Sequence, residues 1–416
     1  MKRAAAVRFI MLTSLLDVIG IGLVIPVLPV LVGEFAHDHA SQAYWYGAIL
    51  VSFGVAQFLF APLLGALSDR YGRRPVLLLG IAGLGVTFLV SALTASLWVL
   101  VGVRLLGGAL SANFAVAQAY VADITTPENR TPALGKLGAM FGVGFVVGPM
   151  LGGLLGDPDV RLPFLAAAGM CALNWLYGLL ILPESLPQER RRPFHLGHLN
   201  PLSALANVAR LQGVGPLVLA VGATLLAQFM LQSVWVLYTG LRFHWGPREN
   251  GLSLFVVGLV AVVVQGGLLR RLLRAMGERP LIVAGFASGA VAYACYGLVP
   301  QGWMLYGVIM ANFLAFASTT ALQGVVSKAA DPHEQGRTMA TLASLSSVVG
   351  IAAPIFGTSL LGQVSDRPPG DLLLGTPFYV CAALEFLAFA IARRYFARHP
   401  LPGVAHAQAT APGQAA

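Results

Sequence analysis

Apolar residues run along this chain in long, nearly uncharged blocks. They occupy 9–32, 44–67, 76–95, 98–121, 136–156, 162–182, 216–239, 251–269, 281–299, 302–325, 338–361 and 376–392. Roughly 20 residues at about 1.5 Å each cross the hydrocarbon of a bilayer, so each block predicts one spanning helix. Six blocks precede a polar segment at 184–215 and six follow it. The pattern predicts an all-α membrane protein with an N-terminal bundle over 1–183, a cytoplasmic linker over 184–215 and a C-terminal bundle over 216–398. The tail over 399–416 has too little apolar surface to fold and is expected to be disordered.

Two turns are near-copies. Gly-Arg-Arg-Pro at 72–75 returns as Gly-Glu-Arg-Pro at 277–280, 205 positions later in a chain of 416. Pro127, Glu128, Arg130 and Thr131 return as Pro332, Glu334, Arg337 and Thr338, with 207 positions between the two arginines. Tandem halves with matching loops on one side mean parallel internal repeats, the plan of carriers that rock two bundles around a central site.

Composition agrees: 57% of residues are hydrophobic, only 10% are charged, and mean hydropathy is +0.77. The net charge of +9 reports orientation. With the N-terminus inside, 21 of the 26 Lys and Arg fall on inner segments, four on outer loops and Arg104 within a span. That bias predicts a multi-pass inner-membrane protein with both ends in the cytoplasm, and excludes nucleic acid as the expected partner. Residues 1–32 begin like a signal peptide, but the long run contains Asp17, Pro26 and Pro29 and reads as an uncleaved first span. Cys171, Cys295 and Cys381 lie singly in separate spans, with neither disulfide nor metal-ligand spacing. The eight His lie in loops, linker or tail, and no phosphate-cradling Gly-Lys-Ser/Thr sequence occurs. We therefore expect no enzyme, no cofactor and no metal.

Charge inside a span is the exception that carries function. Asp17 lies nine residues beyond Arg8, about 14 Å up the first span. A buried carboxylate resists ionisation and can bind and release a proton in operation. The plainer alternative is a structural carboxylate satisfied by neighbouring helices. Glu385 is the other deep acid. Arg104, about 10 Å into span 4, must be paired or hydrated, or else snorkel to the outer interface.

The stretch Gly65-Ala-Leu-Ser-Asp69-Arg70-Tyr-Gly72-Arg73-Arg74-Pro75 joins spans 2 and 3. It resembles the loop 2–3 signature of the major facilitator superfamily. Physically, Asp69 can accept from a helix N-terminus, where negative charge is favoured, and Arg73 can pair with Asp123 at the inner end of span 4. The resemblance implies that this cluster latches the two six-helix bundles together on the inside. Gly144-Phe-Val-Val-Gly148-Pro149-Met-Leu-Gly152-Gly153 in span 5 resembles the signature shared by proton-driven exporters of that superfamily, and is also a small-xxx-small packing face. The family places an Arg linked to proton transfer where Arg104 stands. In the same family the last span of each half tends to be peripheral, which weakens the case for Glu385.

Residues 8–365 are similar throughout to bacterial tetracycline/proton antiporters, notably Leu16-Asp17-Val-Ile-Gly-Ile-Gly and Ala119-Tyr-Val-Ala-Asp-Ile-Thr125. Three positions depart: Thr87 and Ser288 stand where those pumps carry acids, and Ala261 where they carry a His. The polar candidates left for a cavity are Gln57, Asn113, Gln118, Gln228, Gln232, Asn312 and Gln323, with Phe114, Phe141, Trp235 and Phe313 as apolar partners. Any of these amides can instead be interhelical glue. A greasy cavity with a few amides suits amphipathic drugs better than sugars. The expected function is proton-coupled efflux of a small amphipathic compound, tetracycline-like or multidrug, by a monomer in the lipid bilayer. Proton-coupled uptake of a metabolite and a non-transporting receptor or scaffold are the rival readings.

Overall fold

The computed structural model describes residues 3–191, 215–329 and 335–398. The predicted tail, most of the linker, and Pro332 and Glu334 of the second repeated loop lie outside the described residues.

All regular structure among the described residues is helical. Span 1 is α1 (Arg3–Val24) followed by the short α2 (Leu28–Gly33), broken where Pro26 and Pro29 remove backbone donors. Then come α3 (His39–Tyr71), α4 (Arg73–Leu93), and span 4 in two pieces, α5 (Leu97–Leu110) and α6 (Asn113–Ile124). α7 (Pro127–Gly156) and α8 (Leu162–Ile181) complete the first half. The second half begins with α9 (Gly215–Phe243). In span 8, α10 (Pro247–Val263) passes through a π turn into α11 (Leu269–Met276). α12 (Glu278–Leu298) follows, then span 10 as α13 (Trp303–Ala311) and α14 (Phe313–Ala329), and finally α15 (Gln335–Val364) and α16 (Thr376–Arg398). Eleven of these segments are long and apolar enough to cross a membrane, and twelve once α13 and α14, bent by 40° at Asn312, count as one span. The twelve expected spans are present.

The repeat is visible in the backbone. Gly72 and Gly277, the glycines of the two near-identical turns, both have positive φ, 108° and 80°. Each ends one helix and starts the next, a conformation that a Cβ would strain. Packing repeats too. In the first half α1 lies against α7 and α8, and α4 against α8; in the second, α9 lies against α15 and α16, and α12 against α16. The halves meet along two equivalent seams, α3 with α15 and α7 with α10.

Small residues set how close those seams come. A Cβ on Gly153 would stand 2.5 Å from Pro247 O and 2.8 Å from Gly251 Cα, so α7 and α10 touch backbone to backbone there. Gly362 packs on the Tyr44 ring and Gly47 on Thr358, closing the α3–α15 seam at the same end of the molecule. Towards the end that carries Gly72 and Gly277 the contacts run out. No described atom of another element lies within 4 Å of a Cβ placed on Gly65, Gly135 or Gly138. Among the described residues, the bundles are closed at one end and splayed at the other.

Candidate functional site

Between the halves lies a cavity of about 870 Å³, walled by α1, α3, α4, α5, α7, α9 and α15 and running along α3 from Tyr46 to Pro62. Its wall is mostly apolar, with Phe53, Phe58, Phe88, Phe114, Phe145 and Phe229 supplying aromatic faces. The polar groups are Gln57, Gln232, Thr87 and several serines from α5, α9 and α15, together with Arg104.

Of the amide and aromatic candidates, Gln57, Phe114 and Gln232 reach this wall. Gln57 spans to α5, its Nε2 donating to Ser111 O at 3.2 Å. Trp235 is buried in the core, where its Nε1 donates to Ser253 Oγ at 2.9 Å and its ring meets Tyr296 edge-on. Asn312, at the break in span 10, accepts from Ser288 Oγ at 3.0 Å, away from the cavity. Phe141 packs beside the wall on Phe114 and Phe145. Phe313 packs in the second-half core. Gln118, Gln228 and Gln323 do not line the cavity. The aromatic wall residues Phe53, Phe58 and Phe229 and the serines of α15 carry no sequence signal that separates them from packing residues.

Asp17 sits outside the cavity wall, in the middle of α1, and is only 8% exposed. Asn113 donates from Nδ2 to its Oδ1 at 3.2 Å and its Oδ2 at 3.1 Å. Asn113 stands first in α6, where the backbone restarts after the span 4 break. Phe114, the next residue, borders both the large cavity and a space of about 10 Å³ beside Asp17, about the size that one water fills. In the second half Glu385 is 3% exposed and accepts from Thr224 Oγ1 at 3.3 Å. Neither carboxylate has a basic partner among the described residues.

Arg104 projects from α5 to the cavity, and its Nε and Nη2 are shut off from solvent without a hydrogen-bond partner. Thr87 lines the same wall and donates to Leu84 O at 2.8 Å.

The span 5 motif works by close approach. Gly144, Gly148 and Gly152 face α1, and a Cβ on Gly148 would come within 2.8 Å of Gly22 Cα. Beside it a Cβ on Gly22 would be 3.0 Å from Pro149 Cδ, so the proline belongs to the same contact. Gly153 is the motif glycine that faces the other half, and Val146 and Pro149 meet the same helix, α10, a Cβ on Gly258 standing 2.5 Å from Val146 Cγ2 and one on Gly251 standing 2.5 Å from Pro149 O.

At the splayed end, Arg73 gathers the charged loop. Its guanidinium pairs with Asp69 Oδ1 at 2.5 Å and Asp123 Oδ2 at 3.1 Å, and donates to Ser68 Oγ at 2.6 Å. Arg70 lies over the Tyr71 ring, and Arg74 donates to Leu179 O. The free N–H groups that open α4 go to a residue the motif does not contain. Glu184 accepts from Arg73 N at 2.8 Å and Arg74 N at 3.2 Å, where the helix end favours negative charge. Its place just past the end of α8 is set by the packing of α8 on α4, which the sequence does not display. Among the described residues, none of these contacts crosses to the other half.

Two bundles of membrane-spanning helices around a central, mostly apolar cavity are the architecture of a membrane carrier. Residues 10–354 match the Major Facilitator Superfamily, and the chain belongs to that family of transporters. It is 37% identical to the class C tetracycline resistance protein of Escherichia coli, over 86% of this chain and 90% of that one. The crystal structure of the human organic anion transporter MFSD10 superposes with a TM-score of 0.67 at 27% identity, covering 94% of this chain and all of that one. The nucleoside transporter NupG shares the fold, with a TM-score of 0.74 at 15% identity over 95% and 99% of the two chains.

Proposed function

We propose that this carrier exports an amphipathic compound, tetracycline-like or multidrug, in exchange for protons, by alternating access across the inner membrane. The observation that carries the reading is the placement of Asp17, a buried carboxylate without a cation, one residue's width from a cavity large enough for a drug. A proton held there and a substrate held in the cavity share Phe114 and the α5–α6 break, so occupancy of one can bias the other. In this reading Arg104 modulates the field around the cavity, and Glu385 is a second, lesser proton site.

Residues Gly144 to Gly153 let α7 slide closely on α1 and α10 as the bundles rock. The closed end faces out, the splayed end faces the cytoplasm, and the charged loop holding Gly65, Asp69, Arg70, Gly72, Arg73, Arg74 and Asp123 latches the bundles when the inner side closes. The similarity to tetracycline resistance proteins supports export as the direction. The test is drug accumulation by inverted vesicles under an imposed pH gradient, with an ionophore that dissipates the gradient as the control. Accumulation that persists without the gradient would refute proton coupling.

A further inference from the structure

Beside the charged loop lies a second space, of about 460 Å³, between the start of α1, the turn from α6 to α7 and the first three turns of α7. Arg8, Met11, Ile124, Asn129, Ala133 and Lys136 are among the residues that line it, and none of its lining is shared with the central cavity. Asn129, Ala133 and Lys136 fall on one face of α7, spaced four and three apart. Phe145 faces the central cavity nine residues beyond Lys136, about two and a half turns, so Lys136 stands on the opposite side of the helix. Between those two sides α7 is covered by α1 at Gly144 and by α10 at Gly153. The face of Lys136 is therefore the one turned to lipid. Val143 and Leu154, about two and five turns further on, are 43% and 45% exposed along it.

We propose that this space binds an anionic phospholipid, its headgroup phosphate held by Arg8 and Lys136 and its acyl chains laid along Val143 and Leu154. Both cations are exposed, neither forms an ion pair among the described residues, and no Asp or Glu lines the space. The acids nearest in sequence are placed elsewhere: Asp123 is paired with Arg73, and Glu128 is absent from the lining. A guanidinium offers phosphate two parallel donors and an ammonium offers a point charge. Basic groups where a span meets the membrane surface attract anionic lipid. The ammonium of a zwitterionic lipid finds no acid here and meets two cations instead, so a net negative headgroup is selected. A soluble phosphate leaves Met11, Ile124 and the exposed stripe of α7 unused, whereas acyl chains cover them.

The test is native mass spectrometry of the full-length protein, titrated with phosphatidylglycerol and with phosphatidylethanolamine of the same acyl chains. The wild type should bind the first phosphatidylglycerol at least about ten-fold more tightly. Arg8→Gln/Lys136→Gln should abolish that preference and leave phosphatidylethanolamine binding unchanged, which also shows that the variant is folded. Arg270→Gln/Arg274→Gln removes two exposed cations from α11, at the same end of the other half, and should keep the preference. Equal affinity for the two lipids in the wild type, a preference that survives the first double variant, or one lost in the second, overturns the proposal.

Two measurements on the wild type need no variant. Glycerophosphoglycerol, the same headgroup without chains, should fail to displace phosphatidylglycerol even in large excess; displacement would make this a phosphate site and overturn the lipid. Phosphatidylglycerol with a photoreactive acyl chain, in vesicles, should cross-link to α7 around Val143, and labelling only elsewhere would sink the proposal. Neither Arg8 nor Lys136 serves in the export reading, so failure here leaves that reading standing.

Discussion

Asn113 donates to both carboxylate oxygens of Asp17, at 3.2 and 3.1 Å, across 96 positions of sequence. The amide comes from the first residue of α6, so the break in span 4 and the acid in span 1 form one unit. An amide satisfies the carboxylate without neutralising it, which leaves the group free to exchange a proton.

Asp17→Asn keeps shape and removes the titratable group. Gradient-driven export should fall at least about ten-fold, while thermal stability in detergent changes by less than about 1 kcal/mol, within the range of a near-isosteric buried swap. Normal drug-dependent proton flux in proteoliposomes of the variant would remove Asp17 as the main carrier and direct attention to Glu385.

Glu184 should matter for stability more than for transport. It caps the first N–H groups of α4 through Arg73 N and Arg74 N, so Glu184→Ala should cost about 1–2 kcal/mol, as loss of a charged N-terminal cap does. Thermal unfolding of the purified variant reads this directly. An unchanged melting temperature would show that water replaces the cap without cost.

Gly153→Val places side-chain atoms where Pro247 O and Gly251 Cα now lie, so the seam at the closed end cannot form as seen. The population should shift towards the state open at that end. A Gly47→Cys/Thr358→Cys pair, where a Cβ placed on Gly47 stands 3.1 Å from Thr358 Cβ, reports it: disulfide formation under oxidant should drop about five-fold or more, a shift of roughly 1 kcal/mol in the equilibrium. Undiminished cross-linking would mean that the α7–α10 contact is not needed for closure.

Asp69→Asn weakens the pair with Arg73 and, in the latch reading, favours the state splayed at the charged-loop end. A single Cys replacing Ser344 on the cavity wall should then label faster with a polar maleimide. Unchanged labelling would leave the loop a role in orientation alone.

The sequence by itself determined the twelve spans, the repeat, the loop glycines and the depth of Asp17, Arg104 and Glu385. Each of these follows from length, local backbone demands or the cost of charge in hydrocarbon, and none needs a partner to be known. The pair of Arg73 with Asp123 was legible for the same reason: opposite charges at one end of the bundle have few alternatives. Which uncharged polar side chains face the cavity was decided only by the tertiary structure. Gln57 and Gln232 reach the wall, whereas Asn113 turns to Asp17 and Asn312 to Ser288. In water, an apolar stripe would reveal the rotation of each helix about its axis. In lipid the outside is as apolar as the core, so that stripe carries no information, and rotation is fixed by where Gly144, Gly148, Gly152 and their counterparts let backbones meet.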